Sequence, residues 1–338
     1  MSGNFIWRDA GRLVVFRAGG VEDAPQLLAE NGMAEFALLS TEGRLAGAPA
    51  LASAATTIHE VPPGSPASAV PDAAAALLES VTAVNLVALG GGRAIDTAKA
   101  IAAVTGARVA AIPTTMSGAE MTGIHRLPAG AEDRVRTLVR PVLVIADSNA
   151  MTSAPEPELR ASSMNALAHG ADSLYTPFAN PVSQMTALRG AELIAASLDE
   201  DPAERGRAHL ALGSILCGYA IDSAAFALHH VICQTLVRVC GGTHAPTNAA
   251  ILPRAMSFMT SRAPDSLEPL ATAIGTTPTN VESRLLELGG NPPGLGAQGA
   301  EKSKLPQAIE AMLMRPELAF TPEPPTRDDL EALIEAAW

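Results

Sequence analysis

Six short aliphatic runs, Leu13–Phe16, Phe36–Leu39, Ile58–Val61, Leu86–Leu89, Val109–Ile112 and Val142–Ile145, punctuate the first 150 residues, and none follows Asp147. Most lack polar alternation, the mark of parallel strands buried on both faces. Between them Val21–Glu30, Pro71–Ser80 and Ala94–Ala103 have helical spacing, each preceded by Gly, Pro or a polar breaker. This alternation predicts an α/β unit, a parallel sheet covered by helices. Beyond Asp147 the pattern is helical throughout: Glu158–Tyr175, Pro181–Leu198, Ala203–Ala220, Ser223–Cys240, Thr247–Met259, Ser303–Leu313 and Arg327–Ala337, with Gly289–Gly299 as a loop. The expected organisation is a parallel-sheet domain over residues 1–152 and an all-α domain over 153–338.

Length and composition agree with that division. At about 150 residues per domain, 338 residues make two, each large enough for its own core. Thirty-five acidic against 23 basic side chains give a net charge of −12. No run of Lys or Arg reverses it locally, which argues against a nucleic-acid partner. Aromatic residues, at 3%, are also too few to stack bases. Cys217, Cys233 and Cys240 have no paired or zinc-ligand spacing, which predicts free thiols and a reducing, cytoplasmic setting. Met1–Gly20 lacks the apolar core of a signal peptide and reads as mature protein. No apolar run reaches the roughly 18 residues of a membrane span; Ser223–Val239 is broken by His229, His230, Gln234 and Arg238.

Directly after Leu86–Leu89 comes Gly90-Gly91-Gly92-Arg93-Ala94-Ile95-Asp96-Thr97-Ala98-Lys99. Three successive glycines allow a sharp turn and close approach of a ligand, and the helix N-terminus behind them offers unpaired N–H groups to a pyrophosphate. A tight turn without ligand explains the glycines alone equally well. The next strand, Val109–Ile112, runs into Pro113-Thr114-Thr115-Met116-Ser117-Gly118-Ala119-Glu120-Met121-Thr122. Both motifs fall at carboxyl ends of strands, where open parallel sheets bind ligands. Gly90, Gly91, Gly92, Asp96, Lys99, Thr114, Thr115 and Thr122 are therefore the candidate cofactor-binding residues. The threonine hydroxyls suit ribose, phosphate or nicotinamide amide, or else caps and turns.

In the helical half, Asn165 and His169 are spaced i, i+4 with Asp172 one turn on, while His230 and His244 stand fourteen apart across Gly241-Gly242. Three neutral imidazoles with an oxygen donor compose a divalent-cation site, and the same histidines can instead hydrogen-bond across a cleft. His229 reads as structural, and His59 and His209 as ordinary strand or surface residues.

Gly90–Lys99, Pro113–Thr122, Met164–His169 and His230–Pro253 together resemble the iron-containing (group III) alcohol dehydrogenase family, and within it the maleylacetate reductases. The resemblance covers nearly the whole chain, including Pro322–Ala337. It implies the dehydroquinate synthase-like fold, with an N-terminal Rossmann-like nucleotide domain, a C-terminal helical domain and an active site in the cleft between them. It also implies NAD or NADP as cofactor, His169, His230 and His244 as catalytic residues, and Asn165, His169, His230 and His244 as the positions of a metal set. Asn165 stands where metal-dependent relatives carry an aspartate ligand. The set thus lacks its one negative donor, so iron or zinc is expected to be held weakly or not at all. The pair His229-His230 and the following Cys233 also fit the reductases.

Four residues depart from the family pattern. Arg93 replaces the serine usual after the glycines and brings a guanidinium near the expected pyrophosphate. Gln234 stands where the family usually has a histidine near the nicotinamide, which removes a candidate proton donor. Asp172 replaces a usual glutamate, and His125 is atypical at its position.

The reaction implied by the resemblance adds hydride from NAD(P)H to the alkene carbon β to a ketone, leaving an enolate oxygen for imidazoles or a metal to stabilise. Two substrate carboxylates need cationic partners, for which Arg126, Arg134 and Arg136 are candidates beside a plain solvated-loop reading. Ser40-Thr41-Glu42 leaves NAD or NADP open, because Glu42 favours a free ribose hydroxyl and Arg44 a 2′-phosphate. Two alternatives share the scaffold: a reductase of another small aldehyde or ketone, and a degenerate member that binds nucleotide without net redox turnover. The expected partners are a small-molecule substrate and, by base rate, a second copy in a homodimer, with no membrane.

Overall fold

The computed structural model describes residues 5–9, 11–41, 43–62, 69–131, 133, 138–203 and 205–338; Glu42, Arg134 and Arg136 lie outside them. The chain divides into two compact units, Met1–Ser153 and Ala154–Trp338.

The first unit is built on strands β1 (Phe5–Asp9), β2 (Arg12–Phe16), β3 (Ala37–Ser40), β4 (Thr57–Glu60), β5 (Asn85–Gly90), β6 (Arg108–Pro113) and β7 (Leu143–Ala146). They form one sheet of order β1-β2-β7-β6-β5-β3-β4. Every pairing from β2 to β4 is parallel, and β1 joins antiparallel to β2. Helices α1 (Ala24–Glu30), α2 (Pro49–Ala54), α3 (Ala69–Leu78), α4 (Gly92–Thr105) and α5 (Ser148–Met151) complete the unit.

The six aliphatic runs are the six parallel strands. Leu86, Ala88, Val109 and Ala111 face Ala73 and Ala74 of α3 and Ile95, Ala98 and Ile101 of α4. Their neighbours Val87, Leu89, Ala110 and Ile112 face the other way, onto Ala24 and Leu28 of α1 and Leu51 of α2. Both phases of the strand period are buried, so the sequence shows no alternation. At the sheet edge β4 behaves differently, with Ile58 46% exposed. Sequence reading missed β1, whose apolar run is cut by Arg8 and Asp9. It forms because Gly11, at φ +88°, lets the chain turn back on β2.

The second unit has no strand among its described residues. Its helices are α6 (Glu156–Ser173), α7 (Pro181–Asp199), α8 (Arg207–Ala224), α9 (Leu228–Val239), α10 (His244–Met259), α11 (Pro264–Ala273), α12 (Val281–Leu288), α13 (Leu305–Leu313) and α14 (Arg327–Glu335). No single described helix is long and apolar enough to cross a membrane. Short α11, which contains Pro269, and α12 escaped the sequence reading. The expected helix Ser223–Cys240 is also corrected: α8 runs on to Ala224, the chain turns, and α9 leaves at 98°.

Bare backbones set how α6, α7 and α8 meet. A Cβ at Gly190 would lie 2.6 Å from Cys217 Sγ and 2.8 Å from the Gly213 carbonyl; one at Gly170 would lie 2.9 Å from the same sulfur. Gly170 sits between His169 and Asp172, so this close crossing fixes the stretch of α6 that carries them.

Candidate active site

In the first unit the two motifs do converge. Gly90 pairs with Pro113 in the β5–β6 register, and Thr114 N–H donates to the Gly90 carbonyl at 3.0 Å. The glycine run packs on the second motif directly: a Cβ at Gly91 would stand 3.0 Å from Thr115 Oγ1, and one at Gly92 3.3 Å from Ser117 Cβ. Its bareness therefore serves the protein's own packing as well as a ligand. Helix α4 starts at Gly92 with no side-chain cap, leaving first-turn N–H groups on offer. Two buried polar atoms beside this turn lack partners, Arg93 Nε and Thr114 Oγ1.

Lys99, expected beside a cofactor, is instead consumed inside the unit. Its fully buried ammonium donates to Asp96 at 2.8 Å, the Ala119 carbonyl at 3.1 Å, Thr122 Oγ1 at 3.5 Å and the Ile124 carbonyl at 2.7 Å. It ties residues 119–124 to α4, and Asp96 and Thr122 are its anchors. Of the other candidate cations, Arg126 is exposed.

Glu120, which sequence reading passed over, is fully buried with neither carboxylate oxygen hydrogen-bonded. Burial pushes its carboxyl up to about 7, against the pull of Lys99. Because the folded value lies above the unfolded one, the neutral form's contribution to stability is complete below about pH 4.5 and is lost as pH rises through 7. Glu120→Gln is accordingly expected to gain about 3 kcal/mol on wild type between pH 4.5 and pH 8. Urea unfolding at the two pH values checks this, and an equal difference at both would refute it.

In the second unit α6 carries Asn165, His169 and Asp172, all buried, and α9 carries His229 and His230 in its first turn. Asp172 joins the two helices. Its Oδ2 accepts His230 Nδ1–H at 2.8 Å and the backbone N–H groups of Ala227 and His230, each at 3.1 Å. Its Oδ1 accepts the His229 N–H at 3.3 Å and the Tyr175 hydroxyl. A carboxylate from α6 thus satisfies the N-terminus of α9, which has no side-chain cap of its own. Burial alone would raise this carboxyl, but the bond and charge of His230 and the other donors hold it well below the usual carboxylate range. The same contacts hold the turn before α9, where Ala225 sits at φ +60° and ψ −173°. Essentially only glycine rests there without strain, at a cost of about 1–3 kcal/mol.

Donation to Asp172 fixes the His230 tautomer and leaves Nε2, buried and without a partner. Its ring stacks on His169, centroids 4.9 Å apart and planes 14° apart, and meets Phe226 at 5.8 Å. His169 Nδ1 is likewise buried without a partner. Burial, then the neighbouring His230 and His244, hold His169 well below the usual imidazole range, so it is neutral. His229 is structural. The Asn248 amide donates to the His244 carbonyl at 2.7 Å, which turns Asn248 Oδ1 to accept His229 Nε2–H at 2.7 Å. Burial and His230 press His229 down to about 3.

Asn165, His169, His230 and His244 include no anionic donor, and His230 and His244 neighbour His169. His244 stands exposed at the start of α10, and Asp172 is committed to His230. Among the described residues no three His, Cys, Asp or Glu side chains are placed to hold a metal. The donors as arranged do not fit a tightly bound iron or zinc.

Sequence reading saw Asp172 through its spacing from His169 but gave it no role. It missed Tyr175 and Phe226, which no motif marks, and Arg315, which donates to Gln234 Oε1 at 3.1 Å from far along the chain.

Comparison with known proteins gives matches over both units. A family model described as iron-containing alcohol dehydrogenase matches residues 12–148, and one described as the C-terminal part of the Fe-containing alcohol dehydrogenase family matches 160–338. Maleylacetate reductase 1 of Rhodococcus opacus is 36% identical over 277 residues, covering 80% of this chain and 77% of its own length. The crystal structure of a putative alcohol dehydrogenase from Ralstonia eutropha superposes with a TM-score of 0.85 at 30% identity, over 99% of this chain and 98% of its own. That of maleylacetate reductase from Agrobacterium tumefaciens does so with 0.84 at 29% identity, over 100% and 99%.

Proposed function

Because the chain belongs to the iron-containing alcohol dehydrogenase family and is an NAD(P)-dependent oxidoreductase, we propose that it reduces a short unsaturated keto acid of the maleylacetate class. The observation that carries the reading is His230, clamped by Asp172 at Nδ1 and stacked on a neutral His169, with an unpartnered Nε2. The relatives named maleylacetate reductase supply the substrate class.

The first unit suits the nucleotide. The uncapped start of α4 receives the pyrophosphate, with the Arg93 guanidinium and the Thr114 hydroxyl as further donors. Reduced nucleotide, when bound, supplies the hydride that adds to the alkene carbon β to the ketone. The chain's own task is the enolate oxygen that results. His230, held through Nδ1–H by the Asp172 carboxylate, takes a proton from water at Nε2, hydrogen-bonds with it to that oxygen, and delivers it to the α carbon, so that the enolate becomes the saturated ketone. His169 stacks face to face on His230, fixing the ring, and being neutral it does not compete for the proton. No step requires a metal.

NADH and NADPH oxidation against maleylacetate and a panel of short aldehydes tests the reading. Maleylacetate is expected to be preferred by at least about tenfold in kcat/KM. Protein purified without added metal is expected to hold well under one equivalent of iron or zinc and to keep its activity after chelation. Stoichiometric metal together with lost activity would show that the donor set is misjudged.

A further inference from the structure

We infer that Arg315 is the residue that selects for an acidic substrate, by binding one substrate carboxylate beside His230. The inference rests on the keto-acid reading above and deepens it. Gln234 lies four residues beyond His230 on α9, about 6 Å along the axis, and its Oε1 accepts from Arg315 Nη2 at 3.1 Å. Glu317 accepts from Nε at 2.9 Å. The two acceptors hold the guanidinium plane. Its Cζ lies 5.8 Å from the Phe226 ring centroid, and that ring in turn meets His230 at 5.8 Å. Imidazole, aromatic ring and guanidinium are therefore successive neighbours in the second unit.

Two donors of this fork are spent, while Nη1 has no hydrogen-bond partner among the described residues. The side chain retains 16% exposure, enough for a small anion to reach it. A planar guanidinium with free N–H groups is suited to carboxylate, and unlike an ammonium it stays charged and oriented at a partly buried site. The substrate supplies both groups: its ketone oxygen goes to His230, and its carboxylates stand two and three carbons from that ketone. Gln234, the departure from the usual histidine, has a use here, since its amide oxygen accepts from Arg315 at any pH.

The test compares wild type, Arg315→Met, Arg315→Lys and Gln234→Leu on three compounds: maleylacetate, the neutral enone pent-3-en-2-one, and succinate as an inert dicarboxylate followed by calorimetry. Arg315→Met is expected to raise KM for maleylacetate by at least about tenfold with kcat within about threefold, and to leave the neutral enone within about twofold. Arg315→Lys should recover part of the loss, and Gln234→Leu should raise KM in the same direction by less. Unchanged KM for the diacid, or a parallel loss on the neutral enone, overturns the assignment. Should wild type reduce the enone but not maleylacetate, the proposed substrate falls on that result alone. Arg315 is then judged by succinate: binding that Arg315→Met weakens about tenfold upholds a carboxylate site, and equal or absent binding removes it.

Discussion

Asp172→Asn is expected to lower kcat by about a hundredfold or more while the nucleotide still binds with wild-type affinity. The carboxylate receives five donors: His230 Nδ1–H, three backbone N–H groups and the Tyr175 hydroxyl. An amide offers one oxygen and one NH2, so whichever way it turns, its N–H groups face donors on one side. His230 then loses both the bond that fixes its tautomer and the negative charge that balances its proton. Asp172→Ala removes the acceptor entirely and is expected to cost about 3–5 kcal/mol of stability, because buried donors at the start of α9 are left unmet. The pH dependence carries the same signature. The folded value of this carboxyl is depressed, so its contribution is present above the unfolded value near 3.8 and is lost as pH falls through the folded one. Wild type should show an acid limb of stability below pH 4 that the Asn variant lacks. A kcat within tenfold of wild type would remove Asp172 from the mechanism.

Gly91→Val is expected to weaken NAD(P)H binding at least tenfold, about 1.4 kcal/mol, by filling the approach to the turn before α4. The geometry adds a second effect. Even the first carbon of a side chain would stand 3.0 Å from Thr115 Oγ1 and 3.1 Å from its Cγ2, so the variant also loses stability until Thr115 gives way. Adding Thr115→Ala separates the two. Stability should return while the binding loss persists, since only the first depends on the threonine. Fluorescence titration of a folded Gly91→Val protein that matches wild type would refute the nucleotide assignment.

What could be read from residues and what could not divide along a physical line. Burial of both strand phases leaves an imprint within a few residues, which is why β2, β5, β6 and β7 stood out. The glycine run announced a turn at a helix start but not that Thr115 and Ser117 occupy the space beside it. Lys99 looked like a ligand-binding cation because sequence shows a charge and not the four oxygens that consume it. The break before α9 left no Gly or Pro to mark it; an Ala at positive φ is held there by a carboxylate more than fifty residues earlier. The histidines were visible as a set. Their stacking depends on how α6 and α9 meet.

The crossing of α6, α7 and α8 also bears on thiol chemistry. Cys217 has its sulfur locked between glycines of neighbouring helices, and burial pushes its thiol up to about 12. Cys233 is buried and raised well above its usual range by the same cause. Almost none of either exists as thiolate near neutral pH, and a reagent finds no room beside Cys217 unless the three helices part. Its labelling rate is thus a clock for that opening, one that runs without any engineered probe.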